Sequence, residues 1–139
     1  MAYRVEYIDI DTLKPHEAVR EKKATSFARF AKLTRKRFRM KPIIVDRESM
    51  VILDGHHRFT ICKELGCKRV PCILVDYLVD PQISVLARKP EIPVSKEAVV
   101  AMGISGAVFP AKTTKHVFAM PIPEIWVDLR QCFGEEEKE

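Results

Sequence analysis

The four histidines of the chain, His16, His56, His57 and His116, fall into three short polar clusters. These are Lys14-Pro15-His16-Glu17, Asp54-Gly55-His56-His57-Arg58 and Lys112-Thr113-Thr114-Lys115-His116. Each sets imidazole beside charge at the boundary of an element, where functional groups concentrate. In the second cluster an apolar strand pattern runs straight into Gly55, and a helical pattern follows. A glycine there lets a ligand approach the backbone closely. The first N–H groups of a helix lack intrahelical acceptors and carry partial positive charge. His56, His57 and Arg58 add donors, so the cluster suits a phosphate. Asp54 would repel that phosphate unless it holds Mg²⁺ or handles a proton. The alternative is a capping aspartate ahead of a polar helix start, and the spacing leaves both open.

The third cluster puts two hydroxyls, two ammonium groups and an imidazole into five residues. That set suits an anion or a small polar ligand, or else an exposed polar loop. In the first cluster Glu17 carries the chemistry. A carboxylate facing basic groups is fit to be a general base, and equally to be a first-turn acid favoured by a helix dipole.

The elements that must position these clusters follow from periodicity. Residues 3–10 alternate and predict a strand. A basic amphipathic helix is expected from Ala24 to Phe38, with Phe27, Phe30, Ala31 and Leu33 on one face. Residues 42–46 and 50–54 are apolar runs joined by a polar turn, a hairpin pattern. Residues 56–66 read as a helix with Phe59, Cys62 and Leu65 inward and Gly66 as its stop. Residues 67–77 return to strand. Residues 80–94 read as an irregular connection with a short strand at 82–87. Ser95 caps a helix from Lys96 to about Met102, ended by Gly103 and Gly106. Residues 107–117 read as a loop or short element, and 120–129 as a terminal strand. One domain over residues 1–133 and an acidic tail at 134–139 are expected.

The charge distribution bears on partners. The chain of 139 residues carries a net charge of +5. Residues 20–41 hold ten Lys/Arg and one acid, a net +9, so the remainder is about −4. One basic patch on an ordinary domain faces nucleic acid or a polyphosphate ligand. Lys41, at its end, is placed with the phosphate-binding residues. No apolar run approaches the ~20 residues that cross a bilayer, and no secretory h-region is visible. A cytoplasmic protein without membrane partners is expected. Cys62, Cys67, Cys72 and Cys132 lack zinc-site spacing and read as reduced, buried small hydrophobes.

With these blocks in view, the stretch KPIIVDRESMVILDGHHRFTICKELGCKRVPCILVDY resembles the ParB/sulfiredoxin superfamily. Together with LKPHE before it and FPAKTTKHV after it, the chain resembles the archaeal free L-serine kinases from about residue 3 to 129. The resemblance implies a mixed α/β (α+β) domain, a mixed sheet flanked by helices. It implies phosphorylation of free L-serine to O-phospho-L-serine with ATP or ADP and Mg²⁺, feeding cysteine biosynthesis. It implies catalytic roles for Glu17 and Asp54, with Mg²⁺ near Asp54. Gly55, His56, His57 and Arg58 would cradle nucleotide phosphate. Lys112, Thr113, Thr114, Lys115 and His116 would face serine and the transferred group. The family pattern has Arg where this chain has Lys115, which replaces a bidentate fork by a point charge. The family also carries a longer segment in place of residues 78–110, and no aromatic wall stands between Tyr77 and Phe109.

Three rival readings are testable. A ParB-like nucleotide- or nucleic-acid-binding module without kinase activity would use the basic patch; no helix-turn-helix pattern follows the phosphate motif. A sulfiredoxin-like reductase needs a thiol where His56 stands, and Cys62 is about two helical turns away. A kinase acting on another small alcohol differs in pocket shape alone.

Overall fold

The computed structural model describes residues 4–19 and 38–134. Its centre is a four-stranded mixed sheet in the order β1-β5-β3-β4. The strands are β1 (Val5–Asp9), β3 (Ile43–Asp46), β4 (Ile52–Asp54) and β5 (Arg69–Val75). Between them in sequence lies β2 (Phe38–Met40). The β1–β5 and β3–β4 pairs are antiparallel and the β3–β5 pair is parallel. The parallel pair needs a crossover, and β4 with α1 (His56–Leu65) provides it.

Alternation along these strands makes two cores. Ile43, Val45, Ile52, Val70 and Cys72 pack on one face with Phe59, Cys62 and Leu65 of α1. Ile44, Val51, Leu53, Ile73 and Val75 pack on the other with Tyr77, Ile83 and Val99. Both faces of the sheet are covered, so its strands read as apolar runs rather than as a one-sided pattern. The expected α+β domain with a mixed sheet is what the chain forms.

The second face is closed by α2 (Lys96–Ser105) and by a ribbon of β6 (Ile83–Ala87) and β7 (Thr114–Phe118). A second ribbon pairs β2 with β8 (Ile125–Val127), and α3 (Leu129–Phe133) follows. The turn after β3 is pinned by Asp46. Its Oδ2 accepts the Ser49 N–H at 3.1 Å, and its Oδ1 accepts the Tyr77 N–H at 3.3 Å.

Several boundaries differ from expectation. Phe38 lies in a strand, not at the end of a helix, and residues 24–37 of that expected helix lie outside the described residues. So does most of the basic segment. Residues 107–117 are partly strand, and the expected strand at 120–129 is reduced to three residues followed by a helix. Helix α2 passes through Gly103 and stops at Gly106. Gly103 is there for contact, because a Cβ on it would lie 2.6 Å from Cγ2 of the buried Val51. All four cysteines are free and buried.

The Gly103 contact makes a prediction. In Gly103→Ala, overpacking of about 1–3 kcal/mol is expected to outweigh the ~1 kcal/mol that alanine gains over glycine in a helix. A lower urea midpoint, partly restored by Val51→Ala in the same chain, is the expected outcome. An unchanged midpoint would remove the close contact from the account.

Candidate active site

Residues 14–18 run as an extended strap. The Lys14 N–H donates to Met50 O at 2.9 Å, and the Ile52 N–H donates to Lys14 O at 2.8 Å. Further on, the Phe109 N–H donates to His16 O at 2.7 Å, and the Ala18 N–H donates to Phe109 O at 2.9 Å. The strap therefore ties β4 to the approach to β7, and His16 and Glu17 sit at the junction.

Glu17 Oε1 accepts three hydrogen bonds. They come from the Thr113 N–H at 3.1 Å, the Thr114 N–H at 2.7 Å and the Thr114 hydroxyl at 2.8 Å. No described group donates to Oε2. One carboxylate oxygen is thus saturated and the other is left for a ligand. Thr113 directs its own hydroxyl to Pro110 O at 2.6 Å, so its backbone rather than its side chain serves the site.

His16 is wholly buried. Its Nδ1 lies 2.6 Å from Ile52 O, and a carbonyl only accepts, so Nδ1 carries hydrogen. Its Nε2 lies 3.0 Å from the Thr114 hydroxyl. Its backbone N–H donates to His56 Nε2 at 3.1 Å, which puts the hydrogen of a neutral His56 on Nδ1. His116 Nε2 meets the Tyr77 hydroxyl at 2.8 Å. His16, His56 and His116 form a cluster of edge-on rings, with centroids 4.5 Å and 5.8 Å from His16.

All three rings are held neutral. Burial lowers His16, opposed by its bond to Ile52. Burial and the neighbouring rings drive His56 well below the usual value. Burial, with His16 and Lys96, brings His116 down to about 3.

The cavity in front of these rings has a volume of about 390 Å³. Glu17, Asp54, Gly55, His56, His57, Arg58, Lys112, Thr114, Lys115 and His116 all line it, as does Arg88. The three clusters of the sequence thus converge on one cleft. Gly55 stands at the N-terminus of α1 with φ +107°, and no side chain caps the helix. A Cβ there would lie 2.9 Å from Arg58 Nη2 and 3.2 Å from Ile43, so glycine is required and the first-turn N–H groups stay open. Asp54 is half exposed and pairs with Arg58 at 3.5 Å; it does not cap α1. Arg58 Nε is buried and has no protein partner, an unmet donor beside the open helix end. Lys112 holds a left-handed backbone, φ +61°, of the kind found where a site overrides local preference.

Lys41 is exposed and does not line the cavity. His116 lines the cavity, with its Nε2 engaged by the Tyr77 hydroxyl. Two residues were missed. His16 carried a signal in its position beside Glu17, but its burial depends on the strap. Arg88 carried none, because its place depends on the β6–β7 register. Among the described residues no group of three or more metal-ligating side chains comes together, and no helix is long and apolar enough to cross a membrane. A larger hollow of about 500 Å³ lies by Arg4, Glu6, Arg47, Asp76 and Asp80. Its charge is mixed, with Arg47 paired to Asp76 at 3.4 Å.

The neutral rings predict a pH dependence of stability. Each takes up a proton on unfolding once the pH is below about 6.5. Their contribution is therefore full above that value and is lost as the pH falls, for His116 down to about 3, at up to about 1.4 kcal/mol per pH unit and ring. Urea unfolding at about pH 7 and pH 5 should differ by roughly 2 kcal/mol or more. Equal free energies would show that these rings titrate as in the unfolded chain.

No family model matches the chain. A ParB-like protein of Sulfolobus acidocaldarius is 41% identical over 75 residues, 54% of this chain and 36% of that protein. An ADP-dependent L-serine kinase of Thermococcus kodakarensis is 32% identical over 78 residues, covering 53% and 31%. An ATP-dependent L-serine kinase of Staphylothermus marinus is 36% identical over 74 residues, covering 50% and 29%. The matched stretch spans about a third of each of these relatives. Among solved structures, a free serine kinase in complex with AMP superimposes with a TM-score of 0.79 at 19% identity, covering 96% of this chain and 95% of that one. The chain therefore carries the fold of the free serine kinases and counts archaeal L-serine kinases among its sequence relatives.

Proposed function

We propose that the chain is a small-molecule kinase that transfers a phosphoryl group from ATP or ADP to the hydroxyl of free L-serine. The observation that carries the reading is the placing of Glu17. Its carboxylate is fixed through Oε1 and open at Oε2, in the same cleft as the uncapped start of α1. Phosphoryl transfer asks chiefly for alignment and charge neutralisation, and the cleft offers both.

In this reading the α1 N–H groups with His57, the His56 Nδ1–H and Arg58 hold the donor phosphates. The serine hydroxyl sits against Glu17 Oε2. As its oxygen forms the new bond to phosphorus, its proton passes to Oε2, and the bond from phosphorus to the leaving nucleotide oxygen breaks. The products are O-phospho-L-serine and the nucleotide shortened by one phosphate. The Thr114 hydroxyl has one hydrogen and two acceptors in reach, Glu17 Oε1 and His16 Nε2. It points to Glu17 while the carboxylate is charged, and can turn to His16 once Oε2 holds the proton.

Mg²⁺ fits this cleft. Such sites use one or two carboxylates completed by substrate phosphate and water, so a lone exposed Asp54 beside the phosphate end is sufficient protein. Asp54 would hold the ion, which would neutralise phosphate charge. The product is a precursor suited to cysteine synthesis, and the cytoplasm is the compartment proposed.

The direct test is to incubate the chain with Mg²⁺, ATP or ADP and a panel of free amino acids, and to look for O-phosphoserine by mass. No phosphoserine, with salt-dependent DNA binding instead, would favour the ParB-like alternative. Glu17→Gln is expected to lower kcat by at least about a hundredfold while nucleotide still binds. Near-normal turnover would remove Glu17 as base. Asp54→Asn is expected to lose activity and the Mg²⁺ dependence of nucleotide binding, measured by titration calorimetry with and without the ion.

A further inference from the structure

Four cations line the cavity, Arg58, Arg88, Lys112 and Lys115, against the two carboxylates Glu17 and Asp54. Arg58 is paired with Asp54, and Glu17 is engaged by the threonines. Among the described residues none of Arg88, Lys112 and Lys115 lies within ion-pair distance of a carboxylate. The register places Ala87 opposite Thr114 and Leu86 opposite Lys115. The Arg88 N–H donates to Thr113 O at 2.9 Å. Arg88 and Lys115 are thus diagonal neighbours across one ladder, within reach of one another's long side chains. Two like charges held this way repel unless an anion lies between them.

The cavity is also divided. The α1 start and Arg58 come off β4 and form one end. Arg88, Lys112 and Lys115 come off the β6–β7 ribbon and form the other. Glu17 lies between them, its Oε1 held by the two residues, Thr113 and Thr114, that run beside Arg88. A hydroxy-amino acid with its hydroxyl on Glu17 carries its carboxylate roughly 3–4 Å further along. A planar guanidinium matches a carboxylate through two parallel hydrogen bonds, whereas an ammonium acts as a point charge.

Resting on the kinase reading above, we infer that Arg88 is a specificity-determining residue that grips the α-carboxylate of the acceptor amino acid. Lys115 supplements its charge. The pair selects amino acids over simple alcohols and amino alcohols, and it takes no part in holding the nucleotide.

The test compares L-serine with ethanolamine, which keeps the hydroxyl and amine and lacks the carboxylate. Arg88 is exposed, so its variants are expected to fold. In Arg88→Ala the KM for serine should rise about ten- to a hundredfold, as for loss of a charged hydrogen-bonding partner. The nucleotide KM should stay within about twofold, well below the effect of losing such a partner. The preference for serine over ethanolamine in kcat/KM should fall by the same factor as serine binding. Arg88→Lys should restore part of it. A rise in the nucleotide KM would assign Arg88 to the donor instead. Unchanged serine KM and unchanged preference, in a wild-type enzyme that does make phosphoserine, would overturn this inference alone. No phosphoserine from the wild type would overturn it together with the kinase reading.

Discussion

The convergence of three donors on Glu17 Oε1 is the interaction on which the site depends. It joins residues 96 and 97 positions apart in sequence. Hydrogen bonds to a charged group contribute about 1.5–3 kcal/mol each, and here two of them come from consecutive backbone N–H groups. They fix the start of β7 against the strap, and β7 fixes β6. The Arg88 N–H then bonds the carbonyl of Thr113, whose own N–H serves Glu17. The carboxylate proposed above as the base is thus also the point at which the ribbon is fastened to the sheet. Its two oxygens divide the duties, Oε1 for architecture and Oε2 for the ligand.

The histidine rings extend that arrangement inward. A buried imidazole is stable as wall material only when its nitrogens are matched and it carries no charge. His16 donates Nδ1–H to Ile52 O and turns Nε2 to the Thr114 hydroxyl, and His116 Nε2 meets the Tyr77 hydroxyl. Tyr77 in turn receives Lys96 on its carbonyl at 2.9 Å and gives its N–H to Asp46. The histidine wall of the site is polar yet uncharged, and Arg88, Lys112 and Lys115 stand exposed at its rim. That separation keeps the charge where a polyanionic ligand can meet it without first dehydrating a buried ammonium.

How much was legible in the sequence follows from which residues carry local signals. β3, β4, α1 and β5 were readable because their apolar runs are bounded by a polar turn, Gly55 and Gly66. Glu17, Asp54 and the helix start were readable as chemistry because their types are unusual at such boundaries. The β6–β7 ribbon was only half readable, since Pro90 and Pro93 obscure its return and Lys115 interrupts the apolar count. Gly103 looked like a helix end because its real constraint is Val51, 52 positions away in the sequence. The partner of His116 was not legible, because nothing local in the sequence places Tyr77 beside its ring. Arg88 was invisible, as any residue is whose neighbours are set by strand register.

In the proposed kinase reading, the same contrast bears on how the cleft can change its acceptor. Its phosphate end is built largely from backbone, with Gly55 forced by the approach of Arg58 and Ile43. Backbone donors are indifferent to side-chain substitution, so that end is conservative by construction. The acceptor end is built from side chains on a two-stranded ribbon whose outer residues, Leu86, Lys115 and Val117, are exposed. Exposed ribbon positions tolerate replacement at little cost in stability. A change at residue 88 or 115 can therefore alter which hydroxyl compound is held while Glu17, its threonines and the helix start stay in place. In this chain, with Lys at 115, the planar fork stands at 88, the neighbouring position across the ladder.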